Sequence, residues 1–130
     1  MNSVMLVDDE PLTLRVVRLA LENAGYDVTT AGDGAEAMKI LRDQRFDVMV
    51  TDLNMPRMNG HELCDAIAEE FAGREPLIFV LTARPGEGHR VWAQDLENVE
   101  FLEKPASLRH LVARIAARLA NPKAGDPKTP

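Results

Sequence analysis

The 130-residue chain has one cysteine, few aromatic residues and no long apolar run. The single cysteine, Cys64, excludes a disulfide within the chain and suits a reducing compartment. The apolar runs are far shorter than the roughly 20 residues of a membrane-spanning helix, and the N-terminus lacks a signal-peptide pattern. The 15 basic and 21 acidic side chains give a net charge of -6, which argues against direct binding of nucleic acid. We therefore expect an acidic cytoplasmic domain without a membrane segment.

Four short apolar runs each lead into polar residues that can carry chemistry. In chain order, the residues that follow these runs or end them are Asp8 and Asp9, then Asp52, then Thr82, then Lys104. In a parallel sheet all strands point the same way, so residues just past the strand ends meet at one edge. The sequence therefore predicts a site with three carboxylates, a hydroxyl and an ammonium group.

Segments with helical periodicity alternate with these runs. In the first segment, Leu12, Val16, Leu19 and Ala20 recur at helical spacing, and Gly25 supplies a C-terminal stop. A β-type stretch at residues 26–30 adds a fifth strand. The alternation predicts an α/β domain, a doubly wound five-stranded parallel sheet with five helices on its two faces. Of the two common strand orders, 2-1-3-4-5 fits a chain of this length and brings the first and third strands side by side.

Two later helices carry clear start signals. Asp33 with Glu36 forms a capping-box pattern, and Ser107 precedes the last helix. The apolar stripe of the last helix consists of Leu108, Leu111, Val112, Ile115 and Leu119. We expect its arginines, Arg109, Arg114 and Arg118, to lie on its solvated faces, with contact to an acidic partner as the alternative.

The chain divides into one folded unit and a short tail. Residues 1–120 carry all the periodic segments, and the folded domain is expected to span them. Residues 121–130 contain three prolines, a glycine and two lysines but almost nothing apolar. Because such a segment can bury little, we expect a disordered tail or the start of a linker.

Three neighbouring carboxylates point to a metal site. A pair of like charges about 4 Å apart costs about 4 kcal/mol at an effective dielectric constant of about 20, so either one carboxylate protonates or a cation lies among them. Oxygen ligands favour a hard cation, and Mg²⁺ suits the cytoplasm. We assign Asp9 and Asp52 as direct ligands, Asp8 as a direct or water-bridged ligand, and the backbone carbonyl of Asn54 as a further candidate.

The same groups suit phosphoryl transfer. A carboxylate can attack phosphorus to form an acyl phosphate, whose oxygens must then be neutralised and held. Mg²⁺ would take one oxygen, the Lys104 ammonium a second and the Thr82 hydroxyl a third. No histidine or cysteine follows a predicted strand to compete as nucleophile.

Four segments together resemble a known family. The sequence Val-Asp-Asp-Glu-Pro at 7–11, Asp-Leu-Asn-Met-Pro-Arg-Met-Asn-Gly at 52–60, Leu-Thr-Ala at 81–83 and Glu-Lys-Pro at 103–105 resemble receiver domains of two-component response regulators. Each segment is weak support by itself, but the four occur in the right order and each at a strand end. The resemblance covers residues 3 to about 120 and implies a flavodoxin-like fold.

The resemblance also implies roles for individual residues. Asp52 would accept a phosphoryl group from a histidine kinase or a histidine phosphotransfer protein with Mg²⁺, for which Mn²⁺ could substitute. By the same implication Asp8 and Asp9 hold the metal, and Thr82 and Lys104 contact the phosphoryl group. Phe101 is implied as a switch aromatic that reshapes the face of the fourth helix, fifth strand and fifth helix. Asn54 and Arg84 match positions that tune how fast the phosphate is lost.

That output face is less regular than the site. Arg84-Pro85-Gly86-Glu87-Gly88 puts a proline and two glycines where the family begins its fourth helix, so we expect this helix either to start late, near His89, or to be mobile. Trp92 either packs that helix down or anchors a partner. The expected partners of this face are a downstream protein target and, as an alternative, a second copy of the domain in a phosphorylation-dependent homodimer.

Two other functions fit parts of the pattern. An aspartate-nucleophile phosphohydrolase uses a similar Mg²⁺ site but places its nucleophile after the first strand in an Asp-x-Asp pattern, whereas Asp8 and Asp9 are adjacent. A phosphorylation-independent interaction module would need a degraded site, and all five expected side chains are present. The sequence thus favours a phosphoacceptor domain that catalyses only its own phosphotransfer and slow dephosphorylation.

Overall fold

A computed structural model describes residues 2–53, 55, 58–82, 98–103 and 107–120. The elements in chain order are β1 Ser3–Val7, α1 Pro11–Asn23, β2 Asp27–Ala31, α2 Gly34–Asp43, β3 Val48–Asp52, α3 Gly60–Glu70, β4 Leu77–Thr82, β5 Val99–Glu103 and α4 Leu108–Ala120. The last helix, α4, is the one that the sequence predicted as the fifth. The predicted fourth helix, within residues 84–96, and the predicted tail lie outside the described residues.

The five strands form one parallel sheet in the order β2-β1-β3-β4-β5, which confirms the predicted topology. Alternate residues of each central strand point to opposite faces, and this divides the core into two apolar layers. Met5 and Val7 of β1 pack in the layer beneath α2 and α3. Val4 and Leu6 pack in the layer beneath α1 and α4. The central strands are therefore buried on both sides, as near-continuous apolar runs require.

The predicted helix starts agree with the structure. The Asp33 carboxylate accepts the backbone N–H of Glu36 at 2.8 Å, and the Glu36 side chain in turn accepts the N–H of Gly32 at 3.0 Å. The Ser107 hydroxyl accepts the N–H of His110 at 3.3 Å ahead of α4. These bonds satisfy N–H groups that the first turn of a helix leaves without partners.

The apolar pattern of α1 differs from its burial. Val17 and Leu21 are its buried residues. Leu12, Val16 and Leu19, which the sequence singled out by their spacing, are 71%, 46% and 52% exposed. The helix is apolar on two sides, so periodicity alone could not tell which side faces the sheet.

The expectation that all three arginines of α4 are solvated was wrong for two of them. Arg118 is only 2% exposed, and its Nη1 donates to Glu100 Oε1 at 3.0 Å. Arg114 donates to the same carboxylate through Nε and Nη2, at 2.7 and 2.8 Å. Glu100 lies on β5 and is itself buried, so this charged group joins the edge strand to α4.

None of the helices in the described ranges combines the length and the hydropathy needed to cross a membrane.

Candidate functional site

The carboxyl ends of β1 and β3 lie side by side at one edge of the sheet. Val7 is paired with Thr51, so Asp8 and Asp52 come next at adjacent positions of the two strands. One carboxylate oxygen each from Asp8, Asp9 and Asp52 lies within 4.8 Å of the other two. The structure therefore brings together the three acidic residues that the sequence singled out.

The three aspartates differ in how firmly they are held. Asp8 is 4% exposed; its Oδ1 accepts the N–H of Glu10 at 2.9 Å, and its own N–H donates to the carbonyl of Ala31 at 3.1 Å. Asp9 is exposed and Asp52 is partly buried. A buried, hydrogen-bonded Asp8 thus fixes one side of the cluster, while Asp9 and Asp52 present oxygens to a group arriving from solvent.

The donor set of this cluster fits a hard divalent cation. All of its side-chain ligands are carboxylate oxygens, and Mg²⁺ binds through a few such oxygens together with water and phosphate. Across the ranges that the structure describes, this is the only group of three or more His, Cys, Asp or Glu residues close enough to share an ion. Asp8, Asp9 and Asp52 are therefore the residues that could hold Mg²⁺.

The chain that follows Asp52 is tied back to the strand. The Thr51 hydroxyl donates to the carbonyl of Asp52 at 3.0 Å and contacts the Met55 sulfur at 3.8 Å. The Gly60 N–H donates to the carbonyl of Leu53 at 2.7 Å. These bonds hold both ends of the β3–α3 loop close to the last residue of β3.

A capping box fixes the far end of the same loop. The Asn59 side chain accepts the N–H of Glu62 at 2.9 Å, and the Glu62 side chain accepts the N–H of Asn59 at 3.0 Å. Asn59, three residues before a glutamate, is a sequence signal of this box that the sequence analysis did not use.

Thr82 ends β4, two strands from β1 at the same edge of the sheet. It is 2% exposed and lies opposite Glu103 in the register with β5. Lys104 directly follows Glu103 in sequence, but Lys104, Asn54 and Arg84 lie outside the described residues. The edge thus gathers the ends of β1, β3, β4 and β5.

Phe101 lies on β5 opposite Val80 and packs, half-buried, against the apolar layer beneath α2 and α3. Thr82 follows Val80 by two positions and so points to the same face of the sheet. The two residues with an implied switching role therefore share one face. Their movement stays a prediction.

Cys64 takes no part in the site. It is buried on α3, and burial, followed by the nearby charge of Asp65, raises the pKa of its thiol to about 12. The thiol is therefore neutral at physiological pH and lacks the thiolate that a cysteine nucleophile needs.

The sequence of the chain is similar to those of known proteins. Residues 4–116 match the model of the response regulator receiver domain. The chain is 37% identical over 123 residues to the response regulator MprA of Mycobacterium leprae (strain TN), an alignment that covers 95% of this chain and 53% of the relative. It is 35% identical over 117 residues to the probable transcriptional regulatory protein TcrX of Mycobacterium tuberculosis (strain ATCC 25618 / H37Rv), covering 90% of this chain and 49% of that protein.

Solved structures agree with the sequence relatives. The chemotaxis protein CheY4 of Vibrio cholerae superposes with a TM-score of 0.82 at 31% identity, over 90% of this chain and 98% of that one. A response regulator receiver domain protein from Clostridium thermocellum superposes with a TM-score of 0.83 at 25% identity, over 95% and 98% of the two chains. The chain spans about half the length of the curated relatives, at 53% and 49%, and nearly all of these two structures.

Proposed function

Because the chain belongs to the response regulator receiver domain family, we propose that it is a phosphoacceptor of two-component signalling in which Asp52 takes the phosphoryl group. The donor is a phosphohistidine on a histidine kinase or a histidine phosphotransfer protein. Family membership makes the domain a signalling module rather than an enzyme with an external substrate. Its only catalysis, in this proposal, is its own phosphorylation and slow dephosphorylation.

The observation that carries the proposal is the cluster of Asp8, Asp9 and Asp52 within 4.8 Å. The partly buried Asp52 carboxylate attacks phosphorus; an O–P bond forms, the P–N bond to the donor breaks, and the donor imidazole leaves. Asp8, Asp9 and Asp52, with the backbone carbonyl of Asn54 as a further candidate, would hold Mg²⁺, for which Mn²⁺ could substitute. When bound, the ion would supply positive charge to the phosphoryl oxygens.

Thr82 and Lys104 complete the site in this proposal. Thr82 ends β4 opposite Glu103, and Lys104 is the next residue after Glu103 in sequence. The Thr82 hydroxyl would donate to one phosphoryl oxygen and the Lys104 ammonium to another, while Asn54 and Arg84 tune the rate of phosphate loss. This arrangement adds charge-assisted hydrogen bonds only when the phosphoryl group is present.

Output depends on the face built from β5, α4 and the predicted helix before β5. Phosphorylation adds roughly -1.5 to -2 charges and three acceptor oxygens, which draw Thr82 towards the site. Phe101, on the same face of the sheet and packed against the same apolar layer, then turns inward and reshapes that surface. The changed surface binds a protein target or a second copy of the domain.

A protein donor is supported by the surface next to the site. In the described ranges, the only large apolar side chains that are strongly exposed are Leu12, Val16 and Leu19, at 71%, 46% and 52%. All three lie on α1, which begins at Pro11, directly after the Asp8–Glu10 segment. An exposed apolar stripe of this kind indicates a surface that another protein covers. The acidic composition and single cysteine favour a cytoplasmic setting for this exchange.

The extent of the functional unit is also a proposal. Residues 1–120 form the receiver domain, and residues 121–130 are a tail or the start of a linker. The matched region covers 53% and 49% of two curated relatives, which fits a receiver domain that makes up one part of those longer proteins.

Intact-mass spectrometry after incubation with acetyl phosphate tests the proposal. We expect the wild-type chain to gain one phosphoryl group only when Mg²⁺ is present. Asp52→Ala should gain none, whereas Asp65→Ala, which removes an exposed aspartate on α3, should label like wild type. Labelling of Asp52→Ala, or no labelling of a wild-type chain that binds Mg²⁺, would contradict the proposal.

A further inference from the structure

The β3–α3 loop packs against Gly34, the first residue of α2, as well as against the end of its own strand. A Cβ atom built on Gly34 would lie 2.8 Å from the Cβ, 2.9 Å from the Cγ and 3.0 Å from the carbonyl oxygen of Met58. Real Cβ atoms almost never come within 3.0 Å of another heavy atom, so only glycine fits at residue 34 with Met58 where it is. The backbone of α2 therefore forms a seat for Met58.

This contact cannot be relieved by a side-chain rotation. A change of the Met58 rotamer moves its Cγ, but its Cβ and carbonyl oxygen are fixed by the backbone of the loop. The other side of the contact is equally firm, because the Asp33 cap and the Glu36 side chain hold the first turn of α2. Any side chain at residue 34 must therefore displace the loop backbone at Met58.

Displacement at Met58 reaches the phosphoacceptor over a short path. Met58 is two residues from Gly60, and a Cβ built on Gly60 would lie 3.0 Å from the carbonyl oxygen of Asp52 and 3.0 Å from the Cα of Leu53. The Gly60 N–H also donates to the Leu53 carbonyl at 2.7 Å. The α3 end of the loop thus contacts Gly34 through Met58 and, two residues later, the backbone of Asp52 and Leu53 through Gly60, so a shift at Met58 is passed on to close-packed backbone.

We propose that Gly34 and Met58 are positioning residues for the Asp52 site: the seat of Met58 on Gly34 sets the placement of the Asp52 carboxylate relative to Asp8 and Asp9. This inference rests on the function proposed above. Mg²⁺ binding needs the ligand oxygens in near-ideal geometry, so a backbone shift of some tenths of an ångström at Asp52 lowers the affinity for the ion. The attacking oxygen is misplaced by the same shift, and small misplacements of reacting groups cost rate.

Helix propensity predicts the opposite sign, which makes the substitution informative. Alanine is a better helix former than glycine, so Gly34→Ala would stabilise α2 if the residue mattered only for the helix. Gly32→Ala is a matched control: it lies on the other side of Asp33, and its built Cβ comes no nearer than 3.4 Å, to the movable carboxylate of Glu36. The two variants add the same methyl group, but only one of them meets the loop.

The test measures the dissociation constant of Mg²⁺ by titration calorimetry and the initial rate of labelling by acetyl phosphate. We expect Gly34→Ala to lower the labelling rate by about tenfold and to weaken Mg²⁺ binding, while Gly32→Ala matches wild type. Met58→Gly removes the Cβ and Cγ atoms that the new methyl group would meet. Adding Gly34→Ala to a Met58→Gly chain should therefore lower the labelling rate and the Mg²⁺ affinity less than Gly34→Ala does in the wild-type chain. Circular dichroism on each sample gives the folded fraction.

The proposal is overturned if Gly34→Ala and Gly32→Ala give the same Mg²⁺ affinity and rate, or if the loss only follows the unfolded fraction. Should Gly34→Ala fail to fold, Met58→Gly decides: it removes the Cβ and Cγ that face Gly34 and introduces no clash, and it must still lower the rate and the Mg²⁺ affinity, though less. Wild-type protein that binds Mg²⁺ but takes no phosphoryl group would contradict the proposed function. The Mg²⁺ dissociation constants of the variants would still support or overturn the positioning role of Gly34 and Met58.

Discussion

Glu100 shows at the scale of a single residue how much a sequence can conceal. It is 7% exposed and holds Arg114 and Arg118, at 2.7 to 3.0 Å, between β5 and α4. The sequence shows arginines four positions apart, off the apolar stripe of an amphipathic helix, a pattern typical of a solvated face. Their burial depends on the side of the edge strand that faces α4, and only the tertiary packing sets that.

Removing the Glu100 carboxylate should therefore destabilise the domain strongly. Glu100→Ala leaves the buried Arg118 and the partly buried Arg114 without this carboxylate, and breaking a buried ion pair in this way costs about 3–5 kcal/mol of unfolding free energy. Urea unfolding followed by circular dichroism measures the loss. A loss no larger than that of an exposed pair would show that water compensates the charge at this position.

The Arg42–Glu70 pair provides the matched control, since it is as short as the buried one, with Nε to Oε2 at 2.7 Å, but lies in solvent. The hydrogen bond from Arg42 lowers the pKa of Glu70. A lowered pKa means that the contribution of this pair is present at neutral pH and is lost as the pH falls through that pKa. Glu70→Ala should cost far less than Glu100→Ala, because solvent screens an exposed pair.

Cys64 gives a second prediction at this scale. Burial raises the pKa of its thiol to about 12, so the folded protein should not react with iodoacetamide at pH 8, whereas the urea-unfolded protein should. Alkylation followed by mass spectrometry, with and without urea, checks this. Rapid labelling of the folded chain would mean that α3 opens readily.

At the scale of an element, α1 shows what periodicity can and cannot decide. The presence of the helix and its end before Gly25 agree with the sequence signals. Its buried face does not follow from them, because Val17 and Leu21 face the sheet while Leu12, Val16 and Leu19 lie outside. Apolar residues recur on both sides of the helix, and a hydrophobic pattern does not show which side packs in the core and which side binds a partner.

The exposed side of α1 predicts a separation between two kinds of phosphorylation. Leu12→Ser combined with Leu19→Ser should leave stability and labelling by acetyl phosphate unchanged, since both side chains are already exposed. The same variant should slow transfer from a phosphorylated histidine kinase that phosphorylates the wild-type chain. The control is Ala116→Ser with Ala117→Ser, two exposed residues of α4. Equal transfer rates for both variants would remove α1 from the docking surface.

At the scale of the whole molecule, the sheet order and the gathering of polar residues at one edge followed from the sequence. Apolar runs that end in Asp8, Asp52 and Thr82 predict parallel strands, and parallel strands bring those ends together. The seat between Gly34 and Met58 could not be predicted, because 24 positions separate them and nothing local signals a contact. A glycine in the first turn of a helix is only a hint, since many such glycines have other causes.

Stability of the whole domain should depend on Mg²⁺ through the same three aspartates. An ion at a hundredfold excess over its dissociation constant, bound only by the folded state, raises the unfolding free energy by about 2.7 kcal/mol. Thermal unfolding with Mg²⁺, and again after chelation with EDTA, measures this effect. Asp9→Asn should reduce it, whereas Asp47→Asn, at the opposite end of β3 from the site, should not. An equal Mg²⁺ effect in both variants would place the ion elsewhere.

The most direct test of the central claim is to identify the residue that carries the phosphoryl group. Borohydride reduces an aspartyl phosphate to homoserine, so a chain treated with acetyl phosphate and Mg²⁺ can be reduced, digested and mapped by mass spectrometry. The account predicts homoserine at residue 52 and at no other aspartate, with none formed when Mg²⁺ is withheld. Homoserine at Asp8 or Asp9, or none at any residue of a chain that has gained a phosphoryl group, would contradict it.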